Sequence, residues 1–296
     1  MSNRALVWTI LPAALLAAAA AEARGWHRGH GISTSGGPGG ITRCDQWRVE
    51  FGDRDAAVAQ ESVTIPVSEA SPLVASPSEN GGTTVIGSEG KDFEVTVCKA
   101  APEDDRTTLD AIRIVRDKGR LSVDGPSDSE WAAHLIIRAP KNASVDLRTI
   151  NGPVDVSDFS GRARISSDNG PVSLRRSSGE IDVRTTNGPI AFDGGSGKVR
   201  LDAQNGPLTV RLLDGEWRGG SFEGRTENGP LALRIAGNYG SGVLVQTSGH
   251  SPFHCGAEAC RHARKSWDDD GKSIAFGPET PVVTLVTHNG PVSISD

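Results

Sequence analysis

Broken at an interval of eighteen, residues 145–210 read VDLRTINGPVDVSDFSGR, ARISSDNGPVSLRRSSGE, IDVRTTNGPIAFDGGSGK and VRLDAQNGPLTV. Asn-Gly-Pro begins at Asn151, Asn169, Asn187 and Asn205, then at Asn228 after a longer unit, and a sixth time at Asn289. A fixed period shorter than a domain marks a repeat architecture, in which each unit is one supersecondary element stacked on the last. Before each Asn the apolar positions are Val145 and Leu147, Ala163 and Ile165, Ile181 and Val183, Val199 and Leu201. After it they are Val154 and Val156, Val172 and Leu174, Ile190 and Phe192, Leu208 and Val210. Polar or small residues alternate with them, which is the period of a strand with one face buried and one wet. Gly161, Gly179, Gly197 and Gly215 punctuate a second corner ten residues after each Asn.

Hairpins or parallel coils could both use such units. Asn-Gly alone favours a tight hairpin, but the residue after Gly would have to donate its N–H, and Pro153, Pro171, Pro189 and Pro207 have none. The outward charges give a second test. Five residues before successive corners stand Asp146, Arg164, Asp182, Arg200 and Glu223, so in a parallel stack opposite signs become neighbours about 4.8 Å apart. Each exposed pair contributes only about 0–1 kcal/mol, which makes the column a device for register. The chain therefore reads as all-β, a single-domain parallel β-helix (solenoid) of eighteen-residue coils with Asn-Gly-Pro corners. Stacked asparagines should form an amide ladder, and the Gly beside each is expected to take unusual dihedrals. With the corners taken as buried, Asn187→Ala should cost about 1–3 kcal/mol.

Composition agrees with a narrow stack. Hydrophobic residues make up 36% of the chain and aromatics 5%, enough for coils that each point about four apolar side chains inward. One coil cannot offset its own ordering entropy, so stability must come from its neighbours. A net charge of −6 disfavours nucleic acid, which needs a basic footprint. Residues 1–23 have the form of a cleaved export signal, with Arg4, an apolar run from Ala5 to Ala21 and the small-x-small site Ala21-Glu22-Ala23. Residues 24–40 read as a Gly-rich flexible leader. The solenoid is assigned to 41–296: less regular coils over 41–141, regular coils over 142–237 and loop-interrupted coils over 238–296. Export to the periplasm or beyond and an even cysteine count predict disulfides. Among three possible pairings, Cys44–Cys98 and Cys255–Cys260 are favoured.

Site chemistry is sparse. His254, Cys255, Cys260 and His262 could bind zinc or copper, but export and the close spacing favour a small disulfide loop. His27 and His30 form a weaker pair, and Asp268-Asp269-Asp270-Gly271 lacks the Glu of a calcium loop. No nucleophile elbow is present, and the outward carboxylates fall into the charge column. A groove joining Trp131, Trp217 and Trp267 to two convergent carboxylates would instead indicate a carbohydrate-active enzyme. The expectation is no catalysis, no cofactor and no metal. The last coil, near Pro291 to Asp296, should expose unpaired backbone, so either the Ser251–Lys272 loop covers it or copies associate end to end.

The corners Thr149-Ile150-Asn151-Gly152-Pro153 and Thr185-Thr186-Asn187-Gly188-Pro189 resemble those of a bacterial family, the "putative adhesin" or "toastrack" β-solenoid domain of unknown function. So do the Ile136-Ile137-Arg138-Ala139-Pro140 lead-in and the Trp217-x-Gly insertion ahead of Thr226-Glu227-Asn228-Gly229-Pro230. The likeness spans Ile41 to Asp296. It implies a β-solenoid associated with the cell envelope or surface and names no ligand; the partner expected here is an envelope protein or glycan. The family brings no catalytic residues, and no membrane span is expected.

Overall fold

Strands on either side of each Asn-Gly-Pro pair in parallel with their counterparts one unit on. The computed structural model describes residues 32–35, 40–248, 251–268 and 271–296. In it Ser144–Asn151, Arg162–Asn169, Glu180–Asn187 and Lys198–Asn205 lie side by side in one sheet. Val154–Ser157, Val172–Arg175, Ile190–Asp193 and Leu208–Leu212 do the same in another. Each step of register is one repeat: Asp146 faces Arg164, Arg164 faces Asp182, and Asp182 faces Arg200. Thr185 and Ile190, on opposite sides of one corner, thus belong to different sheets. The result is a flattened β-solenoid of a twelve-stranded pre-corner sheet and an eleven-stranded post-corner sheet.

Between the sheets lies the core that the alternation specifies. Val145, Leu147, Ile165, Val183 and Leu201 from one sheet and Val154, Val156, Leu174, Ile190 and Val210 from the other are each at most 1% exposed. Each buried side chain of this kind stabilises by about 1.5–3 kcal/mol, and the contacts run from coil to coil. Thr226 and Thr287, also fully buried, donate from Oγ1 to the Gly206 and Gly229 carbonyls at 2.8 and 2.9 Å.

The corner glycines are needed for a different reason from the one expected. Gly152, Gly170, Gly188, Gly206, Gly229 and Gly290 do not lie in the left-handed region. A Cβ at Gly170 would instead fall on the carbonyl oxygen of Gly152, and one at Gly188 on that of Gly170. Backbone stacks on backbone here, so a side chain has no room. Positive φ occurs at the opposite corner, at Gly179 (+91°) and Gly197 (+109°).

At the N-terminal end the coils continue but are not purely parallel. Leu73–Ser76 and Thr83–Ser88 form the coil beneath Ser144–Asn151 and Val154–Ser157. Arg120–Asp124 and Ala132–Pro140 form the next one down. Antiparallel strands then close the stack: Arg113–Asp117 on Arg120–Asp124, and Asp92–Pro102 between Ala132–Pro140 and Ala56–Pro66. The stretch around Ala100–Arg106 leads into a short helix, Arg106–Ala111, capped by Asp105, whose carboxylate accepts from Thr108 N.

Ala132–Pro140 is buried on both faces. Ala133, Leu135 and Ile137 enter the main core, while Ala132, His134 and Ile136 lie under Ile41, Trp47 and Phe51 in a small second core. The Cys44–Cys98 disulfide joins the covering segment to this sheet, with Cα atoms 5.3 Å apart. Within the 24–40 segment, Ile32–Ser35 pairs antiparallel with Arg48–Phe51. The export signal 1–23, His27, His30 and the rest of that leader up to residue 39 lie outside the described residues.

Chain order and stack order part company at the C-terminal end. Val283–Asn289 pairs directly with Phe222–Asn228, and Val292–Ser295 with Leu231–Ile235. Val243–Ser248 and Phe253–Cys255 lie on the far side of that coil. The final coil is therefore enclosed instead of lying at the end of the stack. Its Asn289 extends the corner ladder from Asn228 (2.9 Å), which a Val243–Ser248 coil without Asn-Gly-Pro could not do. Gly271–Phe276 and Arg264–Trp267 finish this edge as antiparallel strands.

Two expectations follow. Gly188→Ala should destabilise the fold by at least about 2 kcal/mol through overpacking against backbone. Gly215→Ala, where a Cβ meets nothing within 4 Å, should change it by no more than about 0.5 kcal/mol; denaturant unfolding of both variants checks the contrast. The second concerns His134, whose ring is 1% exposed and shares one hydrogen bond with Thr84 Oγ1 at 3.0 Å. Burial pushes its pKa down from 6.5 to about 3. The unfolded chain then binds a proton that the folded one refuses, so stability is lost as pH falls through that window, at up to about 1.4 kcal/mol per pH unit. Melting midpoints of wild type should drop more steeply between pH 6.5 and 3 than those of His134→Gln; equal slopes would refute it.

Candidate functional site

Along the pre-corner edge the asparagines form one directional chain. Nδ2 of Asn169 donates to Oδ1 of Asn151 at 3.0 Å, Asn187 to Asn169 at 2.9 Å, and Asn205 to Asn187 at 3.1 Å. Asn228 donates to Asn205 at 2.9 Å. At the other end Asn151 donates to Asn80 at 3.4 Å, so the degenerate Asn80-Gly81-Gly82 corner supplies a further rung. Every amide from Asn151 to Asn289 is exposed, whereas the corners were expected to be buried. The asparagines sit at the strand ends, outside the closed space between the sheets. The backbone reinforces them, with Gly170 N donating to Asn187 O at 3.2 Å and Val172 N to Pro189 O at 2.9 Å.

The outward charge column is in register, but its closest pairs often run along a strand. Arg200 reaches Glu223 across the coils at 3.3 Å. Asp146 and Asp182 pair instead with Arg148 (3.7 Å) and Arg184 (3.2 Å), two residues along their own strands. Arg162–Glu180 (3.4 Å) adds a parallel column that sequence reading had not separated. On the post-corner side Arg176 grips Asp158 with two bonds of 2.7 and 2.8 Å and holds its carboxyl below the usual range. Asp155 is the one carboxyl among the described residues pushed upward, by burial; Arg175 lies 3.7 Å away. Asp155 and Asp158 thus shift in opposite senses, the pattern suited to acid–base work, but each is tied to an arginine, Arg175 and Arg176 respectively.

The tryptophans do not share a groove. Trp217 is buried against Phe192 and Phe222 and donates its indole N–H to Gly197 O at 3.1 Å. Trp267 is 58% exposed, its ring 6.5 Å from Phe253. Trp131 alone lines a groove, of about 900 Å³, between the Ser76–Asn80 corner and the Asp124–Trp131 loop. Its indole donates to Pro126 O at 3.0 Å. Asp124-Gly125-Pro126 has the form of another corner with Asp for Asn, and the repeat does not announce this opening. Its signal was the five residues Ser127 to Trp131, which delay the strand that elsewhere follows Pro at once.

Cys255 and Cys260 are bonded to each other, Cα atoms 5.9 Å apart, with Cys260 buried and His254 and His262 exposed. Thiolates for a metal are thus not on offer there, and no cluster of three or more metal-ligating side chains occurs among the described residues. The loop from Ser251 reaches the terminal coil through Phe253–Cys255, paired in parallel with Val292–Ile294. Asp268 closes a turn by accepting from Gly271 N at 2.8 Å; Asp269 and Asp270 lie outside the described residues.

No protein-family model matches the chain, and no curated protein does. Among solved structures, a "putative cell adhesion protein" from Clostridium sporogenes shares 9% identity over 81% of this chain and 99% of its own, with a TM-score of 0.30. A "putative adhesin" from Bacteroides fragilis shares 9% over 81% and 96%, with a TM-score of 0.33. Both descriptions belong to the kind of protein whose corners this chain's motifs resemble. Similarity of that degree leaves the architecture to be argued from the register alone. No helix among the described residues is long and apolar enough to cross a membrane.

Because the amides face water, Asn187→Ala should cost about 1 kcal/mol, from two exposed hydrogen bonds of modest net worth. Thermal unfolding of Asn187→Ala beside Asn187→Asp distinguishes the bonds from the side chain's bulk. A loss above about 3 kcal/mol in the alanine variant would mean the ladder is not the exposed feature described.

Proposed function

We propose that the chain is an exported, non-enzymatic β-solenoid of the cell envelope that presents a rigid surface to an envelope protein or glycan. The observation that carries this reading is the laddered, disulfide-tied stack whose charge-column carboxylates Asp146, Asp182 and Glu223 pair with arginines. Paired charges of that kind suit contact more than bond-making, since a general acid or base needs a shifted and available proton. Two disulfides, Cys44–Cys98 and Cys255–Cys260, favour an oxidising compartment. The signal-like residues 1–23 favour the same place. Rigidity itself serves binding, because a surface already ordered loses little entropy on contact.

Cell fractionation tests the export. The protein should appear in the periplasm or medium, processed near Arg24, with no thiol reactive before reduction. Binding of the purified protein to isolated envelopes should be saturable. Retention in the cytosol with four free thiols, or no saturable envelope binding, would overturn the reading.

A further inference from the structure

We infer that the groove at the N-terminal end of the asparagine ladder binds a neutral glycan segment. This rests on the reading of the protein as a binding module and gives that module a site and a ligand class. Direction in the ladder is the starting point. Each Nδ2 donates toward the N-terminal end of the stack, and Asn80 is where the chain of amides stops. Its Oδ1 is taken by Asn151, while no acceptor within the described residues meets its Nδ2. Asn80 lines the groove, so the terminal donor of a chain of polarised amides faces open space. A ligand there must bring an acceptor.

The neighbouring groups ask for donors. Glu79 and Asp124 line the same groove, and neither joins an ion pair among the described residues. Ser127 adds a hydroxyl able to give or receive. A hydroxyl both accepts from an amide and donates to carboxylates without carrying charge. Several hydroxyls on one frame describe a sugar.

Apolar surface completes the set. Trp131 is held by its N–H bond to Pro126 O, with Gly125 so close against the indole that a Cβ there would overlap the ring. Ile150, 45% exposed, borders the opening. A fixed indole beside hydrogen-bonding groups suits the C–H face of a pyranose, since aromatic rings combine apolar area with defined geometry. The groove's volume of about 900 Å³ falls within the ordinary range for ligand sites.

Charge narrows the class. Glu79, Asp124 and Glu130 line the groove and no Lys or Arg does; Arg54, which pairs with Glu130, is also engaged with Asp104 at 3.5 Å. An acidic polysaccharide or a phosphate would meet uncompensated carboxylates and be repelled. Neutral hydroxyl chemistry fits both the donors and the field.

The test is an array of neutral oligosaccharides, with acidic oligosaccharides and an Arg/Lys-rich peptide beside them, followed by titration of the tightest neutral binder. Wild type should bind at least one neutral oligosaccharide saturably. Trp131→Ala and Asp124→Asn should each weaken that binding at least tenfold, and Asn187→Ala, inside the ladder, less than twofold. Asp124 is exposed, so its variant keeps the test sound if Trp131→Ala does not fold. Binding to no neutral oligosaccharide, preference for the acidic glycans or the basic peptide, or unchanged affinity in Asp124→Asn would each overturn the inference. Should wild type and both variants still bind isolated envelopes equally, the groove assignment falls and the binding-module reading stands. Loss of envelope binding by wild type itself would bring down that reading instead.

Discussion

The whole architecture depends on how closely one corner can approach the next. Parallel strands sit about 4.8 Å apart, and the chain must turn between sheets without widening that gap. Gly on Gly satisfies the condition, since a Cβ at Gly152, Gly170, Gly188 or Gly206 would strike the backbone of the coil beneath. Proline follows, lending its carbonyl to the next coil and needing no partner for an N–H, as where Val154 N donates to Pro171 O. With the corners stacked, strands on both sides fall into an eighteen-residue register, and the core follows from alternation. Asn ladders and charge columns are then consequences of a spacing already set.

That hierarchy explains which features are strong and which are merely ordered. Core residues such as Leu147 and Val183 are excluded from water and carry the free energy. The amides and ion pairs lie in solvent, where each is worth about 1 kcal/mol or less. Their regularity gives the surface its character: a face with both signs interleaved and fixed on a rigid frame. Such a face lacks the basic footprint that nucleic acid needs.

How far the sequence discloses this depends on whether the determinant is periodic. Asn151 to Asn205, the prolines and the alternating Asp146-to-Arg200 signs specify parallel coils, since each repeats and any antiparallel arrangement breaks the pattern. The purpose of the glycines was not legible, because a left-handed turn and a backbone close approach both select Gly. Corner exposure was also hidden: periodicity says which residues align and nothing about the water beside them. The N-terminal cover left a trace in Ala132-Ala133-His134-Leu135-Ile136-Ile137, apolar at both parities and thus in want of two coverings. The Trp131 groove left only a five-residue delay. Such singular features arise from one loop against one corner and have no repeat to announce them.

The enclosed terminal coil has a consequence for the order in which the molecule can be assembled. A stack built in chain order can be completed from one end as the polypeptide emerges. Here Phe222–Asn228 and Val243–Ser248 both take Val283–Asn289 as their neighbour. Phe222–Asn228 can settle on Lys198–Asn205, but until that late segment is present Val243–Ser248 has no strand that joins it to the stack. The stretch from Val243 onward therefore forms as one cooperative unit, while the coils before it can propagate step by step. In a chain that crosses a membrane N-terminus first, the Val243–Phe276 region would wait on the trans side, edges unpaired, for the residues that join it to the rest.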